Sequence, residues 1–321
     1  MSHRSGKPLR DRLREHVTGW LYVGPAAAVL GLFFLFPVGY ALYVSLHRWG
    51  LTRGAFVGLE NYGRAFGDPE FGRALLVTVY YVVGTVPASL FLGLLIANLL
   101  AQRIRWRSVY RTVYFLPYVT SVVAAAAVFL WIFYPNEQGL ANVVLGWVGV
   151  PAQGWVEESR GVLALLLEPM GVALPPWAGG PSLALVCVMV FSVWGSVGFY
   201  VVVLLAALTN VPAEVYEAAA LDGATGWRRL RHVTVPLISP TLFFLLIVST
   251  IRAFRVFGQI YVMAAKERMG TAHNVTMFIF KTFYERGETG YGSAIALILF
   301  VIILIVTLVQ MRLVGRRVHY Q

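Results

Sequence analysis

Arg252 and Arg255 are the only charged residues in a membrane-length apolar run, 236–262. An ionised side chain there is costly, so it normally faces a cavity or a partner. Three residues apart on a helix, the two share a face. They can contact a polar or anionic solute, or they can snorkel to the membrane edge and bond carbonyls of a neighbouring subunit. Gln259, Ser192 and Ser196 are further candidates for a polar path, as are Ser249, Thr250 and Asn98; singly, such residues more often make helix–helix hydrogen bonds. This is binding chemistry, not bond-breaking chemistry. The chain has no HExxH, no CxxC and no closely spaced histidine and carboxylate set, so no metal is expected and His47, His232 and His273 read as interfacial. Cys187, the single cysteine, reads as a buried structural thiol. A GxxxxGK[ST] phosphate loop is absent too. Energy for any transport must come from a partner or a gradient.

A second constellation lies between two apolar runs. Glu217-Ala218-Ala219-Ala220-Leu221-Asp222-Gly223-Ala224 is followed by Pro236, thirteen residues past the glycine. Pro212 fits a first helical position, and Glu214 and Glu217 suit the positive end of the helix that follows. The three alanines combine helix propensity with little bulk, which lets the element lie deep in a groove on another protein. Gly223 can take the left-handed conformation that ends a helix, and Asp222 can bond nearby amides. A second short helix carrying Trp227, Arg228, Arg229 and Arg231 then leads to Pro236. Helix, sharp turn, helix and membrane together form a rigid bracket.

These residues must be held by a membrane protein. Of 321 residues, 58% are hydrophobic and 13% charged, and mean hydropathy is +0.70, far from the roughly 25% charged usage of soluble domains. Six stretches reach the length of about 20 apolar residues that a spanning helix needs: 20–46, 74–102, 112–133, 182–208, 236–262 and 291–311. The first is too long for a signal peptide and lacks a small-residue cleavage site. Fifteen of the 26 lysines and arginines fall in the amino-terminal tail, the loops 103–111 and 209–235, and the carboxy-terminal tail. Nine lie in the other loops, which are longer and hold ten acids. The positive-inside rule then puts both termini and the Glu217 loop in the cytoplasm. The net charge of +11 follows from this asymmetry, so no nucleic acid partner is expected.

The chain divides accordingly. Residues 1–17 form a basic tail, mobile or at the lipid surface, and 18–50 the first transmembrane helix and its exit. Residues 51–73 form an outer amphipathic segment around Phe56, Tyr62, Phe66 and Phe71, with Asp68-Pro69 starting the next helix. The core, 74–313, holds five transmembrane helices, the outer segment 135–181 and the cytoplasmic loop 209–235, and 314–321 is a cytoplasmic tail. Within 135–181, Gly139, Gly146, Gly149, Pro151 and the Pro175-Pro176 and Gly179-Gly180 pairs break the chain repeatedly. Residues 161–174 read as a lid or interfacial helix.

The loop resembles the EAA signature of inner-membrane permease subunits of binding-protein-dependent ABC importers, in which EAA, a two-residue gap and DGA precede three apolar positions and a proline. Glu217, Ala218, Ala219, Asp222, Gly223 and Ala224 match in register, Leu230, Val233 and Val235 fill the apolar positions, and Pro236 closes the motif. Residues 56–62, Tyr114-Phe115-Leu116-Pro117 and 257–261 are similar to the carbohydrate branch, the maltose and glycerol-3-phosphate permeases. Gly258 and the longer outer segment 151–182 depart from that pattern. The resemblance covers most of 20–313. It implies an all-α integral membrane fold, the six-helix bundle of the ABC importer permease (MetI-like) type, working by alternating access. It also implies that the EAA loop is a coupling helix docking on ATP-hydrolysing subunits. The chain itself would be no enzyme and bind no cofactor, with ATP and Mg on two partner ATP-binding subunits. The other implied partners are a second homologous permease, an extracytoplasmic solute-binding protein and membrane lipid, in a bacterial or archaeal inner membrane. A saccharide is the solute that this likeness favours, with a polyol or sugar phosphate next because of the arginines. A gradient-driven transporter or channel would want paired carboxylates in its spans, and a membrane enzyme would want a reactive constellation.

Overall fold

An apolar run in lipid has no water to bond its backbone, so it must close its own hydrogen bonds as helix. The computed structural model describes residues 9–50, 52–102, 104–172, 174, 178–264 and 270–317. Arg4 and Lys7 of the basic tail, Arg103, the Pro175-Pro176 pair, Lys266 and Arg268 lie outside the described residues. Those described form helices and loops, with two isolated β-bridges, His47 to Phe56 and Gly161 to Ser182. The chain divides into two compact units: the segment up to Ala65 with Thr282–Leu297, and Phe66–Lys281 with the segment from Ile298 onward.

In the first unit, α1 (Leu9–Leu30) begins inside the segment read as a basic tail. A π-helical turn, Gly31–Leu35, joins it to α2 (Phe36–Ser45). Pro37 lacks the amide that would bond back one turn, and the widened turn, with Phe36 N bonded to Gly31 O, absorbs the mismatch. Thr18–Ser45 is long and apolar enough to cross a membrane. The chain then folds back into the short helix α3 (Glu60–Gly67). Its Asn61 amide donates to the carbonyls of Ser45 (2.8 Å) and His47 (3.1 Å), groups that the end of α2 leaves without helical partners. Arg64 pairs with Glu288 at 2.8 Å and lies 4.0 Å over the Tyr291 ring.

In the second unit, α4 (Pro69–Ala101) starts where Asp68 accepts from Glu70 N, the expected Asp-Pro start. The expected span 112–133 is instead two helices, α5 (Arg107–Val119) and α6 (Val122–Ile132), bent by 96°. Thr120 is extended, and Ser121 opens α6 by accepting from Ala125 N. The outer segment breaks as its glycines imply, into α7 (Leu140–Gly146), α8 (Val162–Leu167) and 3-10 turns. Buried Asn142 organises it, donating to the Asn136 and Gln153 carbonyls and accepting from Gln153 N and Trp155 Nε1. The long helix α9 (Leu183–Thr209) follows, then α10 (Ala213–Leu221), α11 (Gly226–Arg229), a π turn and α12 (Val235–Leu237). The run 236–262 is not one helix. It bends by 77° at Ile238 into α13 (Ser239–Phe254), where Pro240 cannot donate to the Pro236 carbonyl, and breaks again before α14 (Gly258–Met263). α15 (Val275–Tyr284) and α16 (Thr289–Leu313) follow, with 282–297 belonging to the first unit. Four helices are unbroken spans by length and composition, six if each bent pair counts as one.

The core of the second unit is the α4–α9 pair. Lipid gives helices no hydrophobic reason to associate, so close backbone approach and polar cross-links matter more. A side chain begun at Gly93 would place its Cβ 2.6 Å from Tyr200 Cβ, and one at Gly84 2.7 Å from Met189 Sδ. Ser89 and Ser196 hydroxyls join the helices at 3.1 Å. Gly198 lets α5 reach α9, since a Cβ there would overlap the Tyr114 carbonyl oxygen.

Two outcomes follow from this packing. Gly198→Ala should lower stability in detergent by about 1–3 kcal/mol, the usual cost of overpacking, read as a drop in melting temperature; an unchanged midpoint would refute the contact. In the outer segment, the Arg160 guanidinium bonds Glu158 at 2.8 Å and holds its carboxyl below the ordinary 4.5, against partial burial that opposes the shift. A depressed carboxylate pKa stabilises above the ordinary value and loses that contribution as pH falls through the folded one. The amides of Leu183 and Ala184, bonded to the Arg160 and Glu158 carbonyls, should therefore exchange faster below pH 4.5 after correction for intrinsic rate, and hold steady from neutral to alkaline pH.

Candidate functional site

The break between α13 and α14 leaves backbone groups unpaired inside an apolar bundle. Asn274, 0% exposed, donates to the Val256 carbonyl at 2.7 Å, and the Thr276 hydroxyl donates to the same oxygen. The Asn274 side-chain oxygen Oδ1 in turn accepts from Met277 N (3.0 Å), capping α15. Val275 N bonds Thr78 Oγ1 at 3.0 Å, tying that cap to α4.

Beside this break lies a cavity of about 460 Å³, bounded by α4, α5, α6, α9, α13 and α14. All five sequence candidates for a polar path, Arg252, Arg255, Gln259, Ser192 and Ser196, line it, as does Ser249. Thr250 and Asn98 do not; the Thr250 hydroxyl donates to the Leu246 carbonyl and accepts from Gln310. The two arginines are not interior to one helix as their spacing suggests, because α13 ends at Phe254 and Arg255 is its cap. Both sit where the helix dipole favours cations. Arg252 donates to the Tyr118 hydroxyl (3.1 Å) and lies 5.4 Å from the Tyr118 ring and 5.6 Å from that of Phe199. The two rings stack at 5.2 Å. Gln259 Nε2 lies 3.4 Å from the Tyr81 hydroxyl and 3.5 Å from that of Ser192, so its amide reaches across to α4 and α9.

Sequence reasoning missed Tyr81, Tyr118, Trp194, Phe199 and Asn274. Single aromatics in apolar runs carry no local signal, since core packing explains them equally well. Asn274 had one available sign, an amide at the start of an apolar stretch.

The second constellation forms its own unit of geometry. α10 begins one residue after Pro212, which caps it instead of entering it. Gly223 is left-handed at φ 73°. Ala224 N bonds Ala219 O at 2.8 Å and Gly223 N bonds Ala220 O at 3.1 Å, the paired bonds of a Schellman end. Glu214, Glu217, Ala218 and Leu221 fall on one exposed face, with Leu221 91% exposed, while Ala219 is buried. Arg229 lies 5.6 Å over the Tyr216 ring, which braces α11 against α10. Asp222 caps the helix through its backbone, N to the Ala218 carbonyl. Among the described residues, no cluster of three His, Cys, Asp or Glu could hold a metal ion.

Residues 89–320 match the family described as binding-protein-dependent transport system inner membrane component. The trehalose/maltose transport system permease protein MalF of Thermococcus litoralis is 32% identical, over 95% of this chain and 96% of that protein. The arabinooligosaccharides transport system permease protein AraP of Bacillus subtilis is 30% identical, over 92% and 88%. Among solved structures, a bacterial ABC transporter involved in the import of the acidic polysaccharide alginate has a chain that superposes with TM-score 0.73 at 20% identity, covering 96% of this chain and 98% of that one. At that identity the likeness is one of fold.

A polar cavity open to water has a direct chemical signature. In a Cys187→Ser background, Ser196→Cys should react with a small hydrophilic thiol reagent, whereas native Cys187, 1% exposed, should not. Equal protection of both would mean the cavity is closed to water.

Proposed function

Because this chain belongs to the family of binding-protein-dependent transport system inner membrane components, we propose that it is the membrane-spanning permease subunit of an ATP-driven importer. It passes a sugar or related polar solute from an extracytoplasmic binding protein to the cytoplasm. The single observation that carries this reading is the meeting of Arg252, Arg255, Gln259, Ser192 and Ser196 on one polar cavity at a break in a spanning run. Aromatic rings beside donors suit the apolar faces and hydroxyl rims of a saccharide. The two relatives named for trehalose/maltose and for arabinooligosaccharides point to the same class.

The partners are a second homologous permease, two ATP-binding subunits that hold ATP and Mg, the binding protein and the surrounding lipid. This chain supplies no ATP site and does no chemistry on the solute. Glu217, Ala218, Ala219, Asp222, Gly223 and Ala224 form the coupling element in the cytoplasm, with both termini on the same side of an inner membrane. The exposed Glu214, Glu217, Ala218 and Leu221 face suits a groove on the ATP-binding subunit, since small and apolar side chains permit deep docking. ATP binding draws the two ATP-binding subunits together. The α10 to α12 bracket, stiffened by its Schellman end and the Arg229 to Tyr216 contact, carries that displacement to α13, and access to the cavity switches sides. A gradient-driven mechanism is disfavoured because the cavity lining holds no carboxylate to bind a coupling ion.

Gly223→Val tests the bracket. A β-branched residue is strained at φ 73°, so the variant importer in proteoliposomes should hydrolyse ATP with transport reduced at least tenfold. Wild-type coupling would refute the lever. Labelling of Leu221→Cys by an impermeant reagent in intact cells would also sink it, by putting the loop outside.

A further inference from the structure

We propose that the solute carries an oxyanion, so that the cavity selects a saccharide bearing a carboxylate, phosphate or sulfonate over a neutral one. This deepens the permease reading and rests on it. Among the described residues the cavity lining holds two guanidinium groups and no acid. None of the chain's 15 acidic residues lies between positions 71 and 136, 169 and 213, or 223 and 266, the stretches that contain every lining residue. Among the described residues neither arginine takes part in an ion pair, unlike Arg48 with Glu60, Arg64 with Glu288, and Arg160 with Glu158 and Glu168.

Water keeps such charges tolerable while the cavity is empty of solute. The end of α13 helps, but a helix terminus offers only about half an elementary charge, against two full positive charges. A solute entering the cavity must displace water from both guanidinium groups. A neutral sugar replaces hydration with hydroxyl contacts and leaves the charges uncompensated between apolar walls, so its entry is opposed. An oxyanion removes that opposition and accepts from the guanidinium fork with matched planar geometry. Arg252 is oriented for it. Its contacts with the Tyr118 hydroxyl and the Tyr118 and Phe199 rings fix the plane of the group while leaving further N–H donors unspent. Arg255 has no side-chain hydrogen bond to a described residue. Tyr81, Gln259, Ser192 and Ser196 remain for the hydroxyls of the sugar.

The test uses the complete importer in proteoliposomes with ATP on the cytoplasmic side. The probes are labelled maltose, trehalose and lactose as neutral saccharides, against digalacturonate, trehalose 6-phosphate and a sulfonated hexose as oxyanions. Each probe is also titrated into the isolated binding protein, which separates its discrimination from that of the cavity. The expected result is uptake of at least one oxyanion probe in preference to all neutral ones, and the probe accepted identifies the group. Arg255→Gln and Arg252→Gln should each lower that uptake more than tenfold, and Arg255→Lys should retain an intermediate rate. Assembly with the second permease and the ATP-binding subunits should persist in all three. Uptake confined to neutral saccharides overturns the inference and leaves the permease reading intact. So does unchanged oxyanion uptake in both Gln variants. Loss of the second permease from the Arg255→Gln complex also overturns it, by revealing an intersubunit ion pair. A wild-type chain that never assembles with ATP-binding subunits fails at the earlier step, the importer reading itself.

Discussion

The bond from Asn274 to the Val256 carbonyl is the interaction on which the second unit turns. A broken helix frees carbonyls from their helical partners, and each one buried without a new partner costs several kcal/mol. Asn274 and Thr276 meet that need from the start of α15, so the chain can stop α13 at Phe254 and begin α14 at Gly258. The positions of three polar lining residues follow from the stop. It puts Arg252 and Arg255 at a helix end, where a cation is favoured, and turns Gln259 toward Tyr81 and Ser192.

The packing around the cavity has a different physical basis. α4 and α9 approach through Gly84, Gly93 and Ala97, and α5 reaches α9 at Gly198. Missing side chains create the contacts. Dispersion over such close surfaces replaces the hydrophobic drive that lipid removes, while Ser89 and Ser196 fix the register with one polar cross-link. The loop helix α10 obeys the same economy: its end is closed by backbone bonds alone, and its outer face stays exposed.

Much was legible early. Spans at 20–46, 74–102, 182–208 and 291–311 emerged within a few residues of the helices observed, because membrane length is a strong and local constraint. The Asp68 cap, the left-handed Gly223 and the fragmented outer segment were equally plain, each depending on one residue's own conformational preferences. The runs 112–133 and 236–262 read as continuous, yet each is bent. Hydropathy averages over a window and does not register a bend, and although Pro117 and Pro240 were visible, a proline in a span is often absorbed without breaking it.

The sequence by itself determined that this is a helical membrane protein with a short stiff loop of defined register, since those properties are set by composition and by neighbours along the chain. It also marked Arg252, Arg255, Gln259, Ser192 and Ser196 as out of place in apolar surroundings. Only the tertiary structure decided that they share one cavity and that Tyr118 and Phe199 hold Arg252. Those facts depend on residues more than fifty positions apart meeting across helices, and such meetings are fixed by packing and helix breaks, for which no local pattern in the chain provides a signal.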